Sequence, residues 1–421
     1  MVDKNKNSYT EQYDVIVIGG GASGMMAAGI AASKGKKVLV LEKNNKLGKK
    51  LKISGGGRCN ITNAEKNPRK FLSQYGEAEQ FLFSPYTQFE SKDTFKFFEE
   101  KGLPLIVQTH GRAFPKTEKA LDVVRILETN LKKEHVKVLS NTKVTSLESS
   151  DNLITGVKSV GKIFTARSYI LATGGLSHPE TGSTGDGFKW LSSLGHIVEK
   201  PTPTLVPIAV EDSWIKSLAG KSFPSMKITF YLDGVKQFSN KDRLLCTHFG
   251  LSGPVILNSS KAVGELLYTA GVVSAKIDIF PDLDLGTLEK KIIELFDANK
   301  NKMLKNIFTE ITPPGTAHGL LSILKDIDTS TKIHSITKDQ RKRLVRLLKE
   351  LPVTITSLMG YDRAVVADGG ILLSEIDTKT MRSKKYNNLF ITGDLLHINR
   401  PTGGFSLQLC WTTGYVAGIN A

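Results

Sequence analysis

Gly19, Gly21 and Gly24 form a Gly-x-Gly-x-x-Gly turn directly after the apolar run Asp14-Val15-Ile16-Val17-Ile18, and an acid, Glu42, ends the next apolar run, Val38-Leu39-Val40-Leu41. This spacing suits a dinucleotide. Gly19 allows a sharp strand-to-helix turn, Gly21 lets the backbone approach a pyrophosphate, and Gly24 lets the helix lie close on the sheet. A helix over about residues 22–33, opening with Ala22 and Ser23, would offer unpaired N–H groups and its positive dipole end to the phosphates. Glu42 is placed to accept hydrogen bonds from both ribose hydroxyls. Glycine triplets also close hairpins and cap helices, but the flanking strand runs and the acid at this distance argue against that reading.

The far end of the chain selects among dinucleotides. Asn388-Leu389-Phe390-Ile391-Thr392-Gly393-Asp394 reads as a short strand ending in Gly-Asp, and Gly403-Gly404-Phe405-Ser406 opens a final helix of small residues. The pattern resembles the C-terminal half of FAD-binding folds, in which the acid meets the ribityl chain and the helix N-terminus faces the flavin. An NAD domain needs no such distant return, so FAD is the expected cofactor and no metal is expected.

Between these ends, Lys49-Lys50-Leu51-Lys52-Ile53-Ser54-Gly55-Gly56-Gly57-Arg58-Cys59-Asn60-Ile61-Thr62-Asn63 resembles the signature of the aminoacetone oxidase family of FAD-binding proteins, which also includes flavoproteins linked to bile-acid reduction. Gly111 to Lys116, Leu171 to Gly175, Gly182 to Gly187, Thr247 to Pro254 and Gly403 to Phe405 are similar to that family too, so the resemblance spans the whole chain. The cofactor residues expected from motif and resemblance together are Gly19, Gly21, Ala22, Ser23, Gly24, Glu42, Lys43, Lys50, Ser54, Gly55, Gly56, Gly57, Arg58, Asn60, Asn63, Val144, Thr173, Gly174, Gly393, Asp394, Gly403, Gly404, Phe405 and Ser406. Lys49, Lys50, Lys52 and Arg58 are expected to neutralise the pyrophosphate. The resemblance implies oxidation of a small amine or aminoketone with dioxygen as acceptor. The chain departs from the family at Gly393-Asp394, where Gly-Glu is usual. It departs again at Leu396-His397, Arg400-Pro401 and Gly403-Gly404-Phe405-Ser406, where Leu-Asp, a single Gly and Gly-Gly-Tyr-Asn are usual, and this leaves the substrate open.

His397 and Arg400 are the candidate catalytic residues. A histidine with an ordinary pKa near 6.5 can take a proton from a substrate amine, and the arginine can hold a substrate carboxylate or stabilise reduced flavin. A structural hydrogen bond for His397 and a solvated loop charge for Arg400 are the competing readings. No second Gly-x-Gly-x-x-Gly follows a strand, so NAD(P)H would have to bind in the substrate cleft. Three function classes follow: an amine or aminoketone oxidase, an NAD(P)H-using reductase of a C=C or C=O bond, and an FAD-containing protein that modifies or binds RNA.

The elements that position these residues read as α/β, an FAD-binding Rossmann-like domain split by an inserted β plus helical region. The first part of the FAD domain is expected over 1–200, an inserted β domain over 201–285, an inserted helical domain over 286–351, and the C-terminal part of the FAD domain over 352–421. Ala120, Val124, Leu127 and Leu131 mark one helix face, and β runs follow around 136–147, 153–159 and 162–166. Pro201, Pro203 and Pro207 mark a boundary. Met226 to Leu232 and Val235 to Phe238 flank Asp233-Gly234 as a hairpin, Val272 to Phe280 alternates as a strand, and Pro352 ends the helical stretch. The insert is expected to roof the flavin.

At 421 residues, 40% hydrophobic and 23% charged, the chain has the composition of a multidomain globular protein. It shows no long apolar run and no signal peptide, and its three cysteines lack metal or Cys-x-x-Cys spacing, so a cytoplasmic protein with no membrane partner is expected. Cys59 and Cys410 could form a redox pair, but buried inert thiols are the stronger expectation. The net charge of +16 invites a nucleic-acid reading. Its densest run, Lys338 to Lys349, has leucines at helical spacing, so a surface helix with a solvated basic face is expected and nucleic acid is not an expected partner.

Overall fold

The structure, a computed structural model, describes residues 12–325 and 327–421. They fall into two compact units, one of residues up to Pro203 together with Val365–Ala421, the other Thr204–Ala364. The fold is α/β, a Rossmann-like unit whose chain is interrupted by a β and helical segment. No helix among the described residues is long and apolar enough to cross a membrane.

The first unit is built on a five-stranded sheet in the order Leu389–Ile391, Ala166–Leu171, Tyr13–Ile18, Val38–Leu41 and Lys137–Leu139, every pair parallel. Val15, Ile16 and Val17 at its centre are fully buried, as expected of parallel strands covered on both faces. The first helix, Ala22–Ser33, packs against the last, Phe405–Asn420. Their separation is set by missing side chains: a Cβ on Gly414 would lie 2.5 Å from the Ser23 carbonyl oxygen, and one on Gly418 would lie 2.6 Å from that of Ala27.

The helix Ala120–Lys133 buries Ala120, Val123, Val124, Leu127 and Leu131, the apolar stripe of its sequence. The run expected over 136–147 is two strands. Asn141 takes a left-handed φ of 53°, so Lys137–Leu139 stays in the parallel sheet while Val144–Ser150 starts an antiparallel meander with Leu153–Ser159 and Lys162–Phe164. Helices Pro68–Leu72, Glu79–Gln88 and Ser91–Glu100 were not among the elements read from the sequence, although Asn67-Pro68 caps the first and Glu90 with Asp93 the third; Pro85 lies inside the second. They are held by aromatic packing. The Phe71 ring stacks on Tyr86 at 4.6 Å and meets Phe405, at the start of the last helix, at 5.0 Å.

The second unit is a closed six-stranded antiparallel barrel, in the order Ile208–Val210, Gly250–Ser252, Val235–Cys246, Ser222–Leu232, Val273–Asp278 and Leu351–Leu358. Its core is continuous with the buried residues of helices Leu285–Ala298, Leu304–Ile311 and Lys338–Lys349. Strand and helix thus share one core rather than the two expected, and the barrel's last strand extends past Pro352, where the insert was expected to end. Leu351, Val353 and Ile355 point inward while Pro352 faces out. That alternation outweighs the proline, whose carbonyl accepts the Trp214 indole N–H at 3.2 Å.

A Cβ at Gly24 would collide with the Gly19 carbonyl oxygen, whereas one at Gly21 would meet nothing within 4 Å. Gly24→Ala should therefore lower unfolding free energy by about 2 kcal/mol or more and Gly21→Ala by less than about 1 kcal/mol, measured by urea denaturation. Equal losses would contradict the packing.

Candidate cofactor site

Gly19 leaves the first strand at φ +106°, a conformation few side-chain-bearing residues adopt. The extended Gly21 then caps the first helix, whose first turn holds no acidic residue. Its N–H groups therefore face the open side of Gly21 with no internal anion to oppose a phosphate. Glu42 is 7% exposed. One carboxylate oxygen accepts the Gly20 N–H at 2.7 Å, and the other accepts the backbone and side-chain N–H groups of Asn44, both at 2.7 Å. Three donors fix the rotamer of this acid beside the turn.

The chain's far end reaches the same place. The Thr392 hydroxyl donates to the Ser23 hydroxyl at 3.1 Å, and Gly393 donates its N–H to the Thr413 hydroxyl at 3.0 Å. Asp394 follows, ion-paired with Lys50 at 2.9 Å and with the Arg400 guanidinium. Burial alone would raise its pKa, but the charges of Lys50 and Arg400 hold it at about 2.

Three of the basic residues expected at the cofactor have protein partners. Lys50 is committed to Asp394 and, at 2.6 Å, to the Ser177 hydroxyl. Arg58 pairs with Glu118, donates to the Gln108 side-chain oxygen at 2.8 Å and lies 4.3 Å over the Phe114 ring. Lys43 pairs with Asp186 at 3.0 Å and donates to the Thr184 hydroxyl at 2.6 Å. Each of these three cations has a protein counter-charge, whereas among the described residues Lys49 and Lys52 have none.

The loop Ser54 to Asn63 turns through left-handed Gly55, Gly56 and Gly57, and its far side is fastened to the last helix. Oriented so that its nitrogen faces acceptors and its oxygen a donor, the Asn60 amide spans from the Thr62 and Ala113 carbonyls, both at 3.1 Å, to the Gly404 N–H at 2.9 Å. Asn63 donates to the carbonyls of His110 and Gly403, both at 3.0 Å. Tyr75 donates to the Phe405 carbonyl at 2.8 Å, and Trp411 to that of Ile61 at 2.9 Å. Gly404 sits so close on Thr62 that a Cβ would clash with its carbonyl. Asn60 and Asn63 therefore act as staples between segments. Cys59 and Cys410 are free thiols pushed up to about 12 by burial, which fits inert cysteines.

Val144 is buried in the meander strand. Gly174, at φ +73°, faces Ser183, and the buried Thr173 hydroxyl has no hydrogen-bond partner. The two catalytic candidates differ. Arg400 is a buried counter-ion, 1% exposed at its side chain. It donates to the Ile398 carbonyl at 2.5 Å and the Ser406 hydroxyl at 3.4 Å besides pairing with Asp394, so it is no free arm for a substrate carboxylate. His397 is 36% exposed at its side chain, with Nε2 3.6 Å from the buried Asp368. Asn44, Ser177 and Asp186 were missed by the sequence reading; only Asp186, inside the Gly182 to Gly187 segment, carried a signal.

A family model described as the HI0933-like protein Rossmann domain matches residues 13–420. The chain is 29% identical over 405 residues, 96% of its length and 97% of the relative's, to the 3-dehydro-bile acid delta(4,6)-reductase of Clostridium scindens. It is 30% identical over 410 residues, with 96% and 97% coverage, to the ribosomal RNA dihydrouridine synthase of Haemophilus influenzae. Among solved structures it is similar to the 3-ketosteroid-delta4-(5alpha)-dehydrogenase of Rhodococcus jostii, with a TM-score of 0.55 over 99% of this chain and 98% of the other at 15% identity, a likeness of fold.

Asp394→Asn should cost about 3 kcal/mol or more, because it leaves the Arg400 charge buried without its partner. Since the folded pKa lies below the unfolded one, Asp394 stabilises the wild type above about pH 4 and loses that contribution, roughly 2 kcal/mol, as pH falls through about 2. Urea unfolding at pH 7 and pH 3 tests both points; a variant as stable as wild type at pH 7 would refute the cluster's role.

Proposed function

The chain belongs to the HI0933-like protein Rossmann domain family, and on that premise we propose that it is an FAD-dependent oxidoreductase that reduces a C=C bond conjugated to a carbonyl group. The observation that carries the cofactor reading is the meeting of the open Gly21 turn and the fixed Glu42 with Gly393-Asp394, brought to Ser23 from the far end of the chain. The residues fit the group. The backbone at Gly21 is open to a pyrophosphate, Glu42 keeps one lone pair, on the oxygen that accepts the Gly20 N–H, for a ribose hydroxyl, Asp394 stays ionised to accept from a ribityl chain, and the Thr173 hydroxyl has an unused hydrogen bond.

Bound flavin would supply the hydride chemistry that no side chain can. The protein's part is orientation and charge. Arg400 clamps Asp394 as a positioning residue, Lys50 ties it to Ser177, and His397 can hold or release a proton at Nε2 beside Asp368. Gly403, Gly404, Phe405 and Ser406 would present the last helix's first turn to the flavin end.

The direction of reaction is inferred from the relatives' names. One names reduction of double bonds, the other formation of dihydrouridine, which is uridine with its ring C=C bond saturated. Both substrates place that bond next to a carbonyl, and overall NAD(P)H and a proton would saturate it. Oxidation of a small amine or aminoketone by dioxygen is the second reading, favoured by the Ser54 to Asn63 signature.

Heat should release FAD from the purified protein, and Glu42→Ala should weaken its retention by about 1.5–3 kcal/mol, read as flavin lost on dialysis. Anaerobic NADPH should bleach the flavin faster than amines do, and an enone or a uridine-containing RNA should restore its colour. Bleaching by amines alone, with peroxide released in air, would replace this reading with the oxidase.

A further inference from the structure

The basic helix of the second unit has a use that the flavin chemistry does not supply. Lys338–Lys349 carries six cations and one acid, Asp339. Two cations are internal: Arg341 reaches Glu289 at 3.4 Å, and Lys349 pairs with Asp278 at 2.6 Å while donating to the Phe280 and Leu283 carbonyls. The other four, Lys338, Lys342, Arg343 and Arg346, are exposed, and among the described residues none has an ion-pair partner, Asp339 included. The helix Leu285–Ala298, packed alongside, adds exposed Lys290 and Lys291 and one unpaired acid, Glu294.

The arrangement is costly and rigid. Lys338, Lys342 and Arg346 stand at i, i+4 and i+8, a column of like charges about 6 Å apart along the helix, which disfavours the helix. Lys338 also lies at the positive end of the helix dipole, where a cation is unfavourable. The helix is nevertheless held by the buried Leu344, Val345 and Leu348 and by a capping box between Thr337 and Gln340. A rigid column of uncompensated cations matches a polyanion whose charges recur along a strand.

We propose that the exposed face of Lys338–Lys349 is a docking surface for the sugar-phosphate backbone of RNA. An anionic membrane fits less well, because the helix's apolar stripe is buried in the core and leaves nothing to insert into lipid. Choosing RNA over DNA rests on the proposed function in one of its two forms, reduction of a uracil-type ring, a base that RNA carries in place of thymine. The surface contacts phosphates, so it supplies affinity and sets no sequence preference.

The test is fluorescence anisotropy of full-length protein with a labelled uridine-containing RNA oligonucleotide, the matching DNA and anionic vesicles, from about 0.05 to 0.2 M salt. A variant combining Lys338→Gln, Lys342→Gln, Arg343→Gln and Arg346→Gln should lose RNA affinity tenfold or more and lower the salt slope by about 2 to 4. A control with Lys216→Gln, Lys227→Gln, Lys236→Gln and Lys305→Gln removes equal charge from the same unit and should keep most of the affinity. Flavin content unchanged in both, and a thermal midpoint lowered in neither, exclude misfolding. An unchanged test variant, an equal loss in the control, or equal wild-type affinity for DNA or vesicles would overturn the proposal. Flavin reduction by NADPH on the same preparations reads the catalytic proposal separately, so either can fail alone.

Discussion

No side chain separates the first helix from the last where Gly414 and Gly418 rest on the Ser23 and Ala27 carbonyls. The candidate site depends on that contact, because its two halves lie at opposite ends of the sequence. Once the helices meet there, Gly393 falls beside Ser23, Thr392 reaches the Ser23 hydroxyl, and Thr413 accepts the Gly393 N–H. The Ser54 to Asn63 loop then needs only Asn60, Asn63 and Trp411 to lock it onto the start of the last helix. A larger residue at either glycine would move the C-terminal strand away from the first turn, so two glycines of the last helix govern the geometry of the candidate site.

The electrostatics follow a similar order. Three of the basic residues near the turn are neutralised by protein carboxylates: Lys43 by Asp186, Lys50 by Asp394, Arg58 by Glu118. The oriented backbone N–H groups at the start of the first helix, with the helix dipole, are then the fixed positive elements of the region. Such groups are fixed by the fold and need no reorganisation when the ligand arrives. The lysines gain a different role, holding acids in the ionised state in which they accept hydrogen bonds.

Local pattern made the Rossmann elements legible. Val15 to Ile18 and Val38 to Leu41 are apolar because both faces of the sheet are covered, and Ala120 to Leu131 shows its stripe because one face is not. The barrel's closing strand carried its signal in the alternation of Leu351, Val353 and Ile355, but Pro352 spoke against it, and which strand pairs across a barrel is a long-range matter. The three helices between Pro68 and Glu100 had weaker local signals, since aromatic packing against Phe405 holds them. In the site, the positions of Glu42 and Asp394 could be read from motifs. Their partners could not, because Lys50 and Asp394 are 344 residues apart and nothing local couples them.

Asp394 and Arg400, two positions singled out in the sequence, form one physical unit. Aspartate at position 394 has a shorter reach than glutamate, and a shorter carboxylate near a cofactor needs firmer placement to make the same hydrogen bond. Arg400 supplies that placement: its guanidinium holds Asp394 while its other N–H groups are fixed by the Ile398 carbonyl and Ser406. Pairing both residues buries the arginine charge without leaving it unsatisfied. It also withdraws the arginine from the substrate, which leaves His397 as the loop's partly exposed titratable group. In this loop the fixed positive charge is thus committed to Asp394, and the imidazole that stays partly exposed lies 3.6 Å from the buried Asp368.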